Sequence, residues 1–283
     1  MPSLPLELER EIVEIAIRTN HKDATVKLNL SSVAHRFHLW VDEIFYESLT
    51  IDARKTSASS LRLFPTLKPA GFFATTVKAL SLLLLSDDQM AGILAVCTGV
   101  QELAIYTIGP CQLSIFARLP LRRLCITTFV PAPAPSSPIA SAPTWFSTLT
   151  HLDLGHVGPP DAKKALSSDI PTRLPRLTHL ALDVSTGTPA AAKRSCARSG
   201  CPGLQVLVLF AERKDIRAPK YQKLYAFDHR IVLREHVLNN IEDWEAPLLG
   251  VSDFWTHAES IVAERVRLAQ PEPPSNRARK ETS

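Results

Sequence analysis

Apolar residues recur along this chain in a fixed short frame. Leu149-Thr-His-Leu152-Asp-Leu154 is followed by Leu177-Thr-His-Leu180-Ala-Leu182 and then by Leu204-Gln-Val-Leu207-Val-Leu209. Upstream, Val77, Leu80 and Leu82 keep the same spacing, as do Val100, Leu103 and Ile105, and Leu121, Leu124 and Ile126; Tyr46, Leu49 and Ile51 form a weaker copy. The six main copies begin at 77, 100, 121, 149, 177 and 204, so their intervals are 23, 21, 28, 28 and 27 residues. In each copy the last two apolar positions are two apart, which puts them on the same face of a short strand. One such strand cannot bury its own leucines, whereas six or seven stacked side by side share a continuous core.

An interval of roughly 20–29 residues is the period of leucine-rich repeats. The expected fold class is therefore α/β: an irregular leucine-rich-repeat solenoid over 77–227, preceded by a helical unit (1–50) and a linker (51–76). A capping segment (228–269) and a polar, Pro-rich tail expected to be disordered (270–283) follow it. With the leucines inward, the residues between them form two rows across the concave face. One row is Ala79, Glu102, Arg123, His151, His179 and Val206; the other is Ser81, Ala104, Cys125, Asp153, Ala181 and Val208. The polar middle of these rows, Glu102, Arg123, His151, Asp153 and His179, is the candidate substrate-binding face. The rows turn apolar at Val206 and Val208, a pair that a C-terminal segment or a partner must cover.

Helical spacing dominates the first fifty residues. Leu8, Ile12, Ile15 and Ala16 share one face of a helix expected over 4–18, and Pro5 is tolerated in a first turn. A short helix is expected over 25–30 and another over 32–47, the latter with Val33, Phe37, Trp40 or Val41, and Ile44 on its apolar side. Thr56 or Ser57 suits the cap of a helix reaching Leu63. Ser86-Asp87-Asp88 reads as the start of a helix that buries Met90, Ile93 and Leu94 on the convex side. The stretch 131–143, rich in proline, reads as a solvated loop between repeats, 155–173 as a polar connection, and Thr188-Pro189 as a helix start ended by Gly200. Asp228-His-Arg-Ile231-Val-Leu233 has strand character. Ser252-Asp253 then caps a helix striped by Phe254, Ala258, Ile261 or Val262, and Val266.

Leu4-Pro5-Leu6-Glu7-Leu8 with Ile12 resembles the LPxELxxxI opening of an F-box. Val33-Ala-His-Arg-Phe37 resembles that family's third-helix motif, with Ala34 standing where serine is usual. The run from Phe45 to Ile51 resembles the strand that follows F-boxes in fungal proteins of this type. Asp228 to Leu233, Trp244 and Asp253-Phe254-Trp255 with Ala258-Glu259 resemble the C-terminal region of fungal F-box proteins with degenerate repeats. The resemblance implies a non-catalytic substrate receptor of a cullin-type (SCF) ubiquitin ligase. Leu4, Pro5, Leu8 and Ile12, helped by Val33 and Phe37, would dock on the Skp-type adaptor and through it on cullin, and the repeats would bind a protein substrate.

Bulk properties narrow the alternatives. A net charge of +4 spread over 283 residues argues for neither nucleic acid nor a membrane surface as partner. Five cysteines without a CxxC pair fit a reduced intracellular chain, cytoplasmic or nuclear. Glu7, Glu9 and Glu11 do not suit a signal peptide. The longest purely apolar run, 206–211, is far too short for a bilayer. No phosphate loop and no HExxH occurs, so no cofactor is expected. His151 and Asp153, with His179 and Asp183, come nearest to a metal constellation, but they are read as polar residues on a solvent-facing strand row, with no metal expected. Cys125 near His151 is the one candidate thiol nucleophile, and nothing beside it marks an oxyanion hole; no enzymatic activity is expected. Arg277, Arg279 and Lys280 read as a solvated tail.

Overall fold

The computed structural model describes residues 4–20, 23–106, 117–126, 144–154, 174–183, 192–193, 196–197, 201–217, 219, 223–224, 227–235, 240–249 and 251–270. The loop at 131–143, the connection at 155–173, the cap at Thr188 with the helix end at Gly200, and the tail beyond 270 lie outside these residues.

Among the described residues, eight short strands form one parallel sheet in which spatial order follows chain order. They are β1 (Ser48–Asp52), β2 (Ala79–Leu83), β3 (Glu102–Tyr106), β4 (Arg123–Ile126), β5 (His151–Leu154), β6 (His179–Asp183), β7 (Val206–Ala211) and β8 (Ile231–Glu235). The leucine frame sets the register. Leu49 pairs with Leu80, Leu80 with Leu103, Leu103 with Leu124, Leu124 with Leu152, Leu152 with Leu180, Leu180 with Leu207, and Leu207 with Ile231. Because side chains alternate along a strand, this register also aligns the intervening residues: Glu102, Arg123, His151, His179 and Val206 stand side by side.

The leucine side of the sheet packs into one continuous core running from Ile51 to Ile231. A helix over Asp87–Val96 lies on this side, its capping box closed by Ser86 and Gln89, and contributes Met90, Ile93 and Leu94. The stretch 51–76, expected as a linker, is part of the same core. Ser57 caps a short helix over Ala58–Leu63, and Leu61, Phe64 and Phe73 are buried, the last two stacked at 4.5 Å. Gly99 lies so close to this segment that a Cβ there would clash with the Ala74 carbonyl oxygen.

At the N-terminus three helices, α1 (Leu6–Thr19), α2 (Ala24–Val33) and α3 (His35–Glu47), enclose a small separate core. α3 starts later than the apolar spacing suggests, because Ala34 is extended and ends α2. Val33 therefore closes α2 rather than opening α3. The core residues from α1 are Val13 and Ile17, which pack on Trp40 and Val41.

The C-terminal segment, expected to close the end of the array, contributes in two places. Its first part is β8, which extends the sheet, with the Arg230 guanidinium reaching back to the carbonyls of Leu204 and Cys196. Its last part, helix α4 (Phe254–Ala269), lies across the face opposite the leucines. There Phe254, Trp255 and Ala258 pack on Ala181, Val206, Val208, Phe210 and Val232. Covered on both sides, this half of the sheet tolerates apolar residues at consecutive positions, as in β7, where all six are buried.

Candidate functional site

The N-terminal unit leaves a face of α1 unpacked. Leu4, Leu8, Ile12 and Ile15 are 54%, 46%, 54% and 58% exposed, while Val13 and Ile17 are buried. Leu8, Ile12 and Ile15 recur at helical spacing, so they form one stripe, with Leu4 and Pro5 just before it. Pro5 is the cap residue, its carbonyl accepting from the amides of Leu8 and Glu9. Val33 is also exposed, and Phe37 is half-buried with its ring 5.4 Å from that of Trp40. Ion pairs hold the helices together: Arg36 with Glu9 at 2.8 Å, Arg10 with Glu43 at 3.1 Å, and Arg18 with Glu47 at 3.3 Å. Among the adaptor-binding residues read from the sequence, Leu4, Pro5, Leu8, Ile12 and Val33 are thus solvent-facing, and Phe37 partly supports the core.

The second candidate, the row Glu102, Arg123, His151, Asp153 and His179, is brought together as the spacing implies, but it is not an open face. Arg123, Asp153 and His179 are buried, and Glu102 and His151 are partly exposed. The cover is α4 with the segment before it. Asp253 pairs with Arg123 at 3.0 Å, and the Arg123 guanidinium lies 4.7 Å over the Trp244 ring and 3.8 Å from Glu102. His151 and His179 stack with ring centres 4.1 Å apart, and Trp255 meets both edge-on at 5.5 Å. Glu259 brings a carboxylate oxygen to 2.9 Å from His179 Nε2. Burial holds both imidazoles below the usual histidine range, His151 to about 3, with the neighbouring His179 and Arg123 adding to the effect on His151. What stays open is a cleft of about 560 Å³ beside the helix start, lined by Glu102, Arg122, Arg123, Thr150, His151 and Glu259 among others.

Cys125 sits deeper in the second row. Its thiol points at Asp153 Oδ2 (3.4 Å) and lies 3.9 Å from the Tyr106 hydroxyl. Burial, and then the Asp153 charge, push its pKa well above that of a free thiol, so it stays protonated and is a poor nucleophile.

The sequence could not reveal the C-terminal contribution. Glu259, Asp253 and Trp255 are far along the chain and belong to no repeated frame, so only the docking of α4 shows that they complete this face. Asp153, counted with the histidines on sequence spacing, turns instead to Cys125. Among the described residues, the group whose atoms could hold a metal is His151, His179 and Glu259, with ligand atoms within 4.8 Å of one another.

No protein-family model matches the chain, and no curated protein matches its sequence. No helix among the described residues is long and apolar enough to cross a membrane.

Proposed function

We propose that this chain is the non-catalytic substrate-recognition subunit of a cullin-type (SCF) ubiquitin ligase. Its first three helices act as an F-box that docks on a Skp-type adaptor, and the eight-stranded unit is an irregular leucine-rich-repeat array that carries a protein substrate. The observation that carries this reading is the unpacked stripe of Leu4, Leu8, Ile12 and Ile15 on a three-helix unit with its own small core. Apolar side chains at helical spacing around half exposed, next to a motif resembling LPxELxxxI, suit a surface completed by a partner. The substrate surface belongs to the cleft between the sheet and α4, where Arg122, Glu102 and His151 remain accessible, rather than to the whole row.

Affinity purification of the tagged full-length chain, wild type against Leu8→Ala with Ile12→Ala, tests the proposal. The wild type should recover the adaptor and cullin, and the double variant should lose both while melting at the same temperature. Undiminished recovery by the double variant would reject the interface. A wild type that recovers protein partners but neither adaptor nor cullin would favour a repeat scaffold without a ligase role, a reading compatible with the Ala34 departure from the motif.

A further inference from the structure

The two histidines on the covered face each have Nδ1 beside a threonine hydroxyl. Each follows a threonine: Thr150-His151 and Thr178-His179. The Thr150 hydroxyl donates to the Arg122 carbonyl at 3.0 Å, and the Thr178 hydroxyl donates to the Thr150 carbonyl at 3.2 Å. Each of these carbonyls also accepts two backbone amides, Arg122 from Thr150 and His151, and Thr150 from Thr178 and His179. Each threonine oxygen also lies 2.9 Å (Thr150) or 2.8 Å (Thr178) from Nδ1 of the following histidine. Where Nδ1 donates to that oxygen, a neutral imidazole has its lone pair at Nε2.

In His179 that lone pair is buried. Nε2 has no aligned hydrogen-bond partner, and a Glu259 carboxylate oxygen lies 2.9 Å from it. An unprotonated nitrogen facing a carboxylate is two acceptors meeting without a cation between them. His151, stacked in register one strand away, presents its own Nε2 on the same side.

We propose that His151, His179 and Glu259 form a site for a zinc-class divalent cation that fastens α4 to the sheet, with water as the fourth ligand. Two neutral imidazoles and one carboxylate are a donor set such ions accept. The threonine hydroxyls are the outer partners that orient metal-binding histidines through their other ring nitrogen. The neighbouring Arg123 charge is matched by Asp253, so it does not repel a cation unopposed. The ligand atoms lie within 4.8 Å of one another, whereas two ligands on one tetrahedral zinc are roughly 3.4 Å apart. The parallel rings must therefore splay, and the more exposed His151 and the half-exposed Glu259, which border the open cleft, are the side chains free to do so.

The test uses the full chain without a polyhistidine tag, stripped with chelator and titrated with ZnCl₂, with Co²⁺ as a spectroscopic substitute. One equivalent of zinc per chain, a raised melting temperature and the visible bands of tetrahedral Co²⁺ are expected. His179→Ala also removes a buried ring from the packing, so the deciding variants are His151→Ala and Glu259→Gln, which should each lose well over tenfold in affinity. Thr178→Val should lose about tenfold through the orienting bond. Absence of zinc uptake by the wild type, or uptake unchanged in both His151→Ala and Glu259→Gln, overturns the site. So does a ¹⁵N spectrum of the stripped protein showing a proton on His179 Nε2 at neutral pH, because that proton would then already bridge it to Glu259.

Discussion

Arg123, the first residue of its strand, and Asp253, the cap of the last helix, face each other at 3.0 Å with both side chains buried. The sequence alone places Arg123 at the centre of a partner-binding row. The structure makes it an internal anchor for the helix that covers that row. Removing one member of a buried pair leaves a charge without its counter-charge, at a cost of about 3–5 kcal/mol. Asp253 also accepts the Thr256 amide at 2.9 Å as helix cap. Asp253→Asn keeps an acceptor there, whereas Asp253→Ala removes the cap as well and should cost about 1 kcal/mol more. Urea denaturation of Arg123→Met, Asp253→Asn and the double variant checks the pairing. The double variant should be more stable than the two single losses summed, since neither charge is then left unpaired. Strict additivity would show that the pair is not coupled.

The strand register was legible in the sequence because a period of two admits no slippage when one side is buried: once Leu152 and Leu180 are matched, His151 must stand beside His179. The exposed stripe on α1 was legible for a similar reason, although the packing is done by Val13 and Ile17, which lie on another face of the helix. The cover over the polar row was not legible. Phe254 and Ala258 announce an amphipathic helix, but spacing does not say which surface receives it. Val206 and Val208 gave the one clue, as apolar residues on a face that was otherwise polar.

That clue leads to a truncation. Ending the chain before Val251 would expose Ala181, Val206, Val208, Phe210 and Val232 together, a contiguous apolar patch on a sheet. The shortened chain is expected to aggregate or to lose its cooperative melt. Trp255→Ala, a milder form of the same lesion, should cost about 3–5 kcal/mol because the side chain is nearly fully buried. A soluble, monomeric and cooperatively melting truncation would show that the helix is dispensable.

Two leucines in similar sequence patterns should behave oppositely. Leu180 is fully buried and pairs with leucines on both neighbouring strands, so Leu180→Ala should cost about 2–5 kcal/mol. Leu8 is 46% exposed on the unpacked face of α1, so Leu8→Ala should stay within about 0.5 kcal/mol of the wild type. Equal losses in thermal or urea unfolding would mean that the α1 stripe is packed within the chain and is not free for a partner.

The buried thiols give a pH dependence whose sign follows from burial. Cys97 and Cys196 are pushed up to about 12 and Cys201 to about 11, each chiefly by desolvation, and Cys125 is raised well above its ordinary value. In the unfolded chain these thiols ionise near a pKa of about 8.5. A raised folded-state pKa means that the folded chain holds its thiol protons while the unfolded chain releases them. The stability they contribute is therefore complete below about pH 8.5 and is lost as pH rises toward the folded-state values. The urea midpoint should fall steadily from about pH 8.5 to 11. At pH 8, site-resolved mass spectrometry after iodoacetamide should find these four cysteines unmodified in the native chain and alkylated in denaturant. Since the reactive thiolate forms only when the site opens, labelling also reports opening. If opening is global, Leu180→Ala should accelerate alkylation of Cys196 and Cys201 by about thirtyfold or more, the factor that corresponds to about 2 kcal/mol. Native-state labelling at the rate of a free thiol would mean that these sulfurs are not packed in the core.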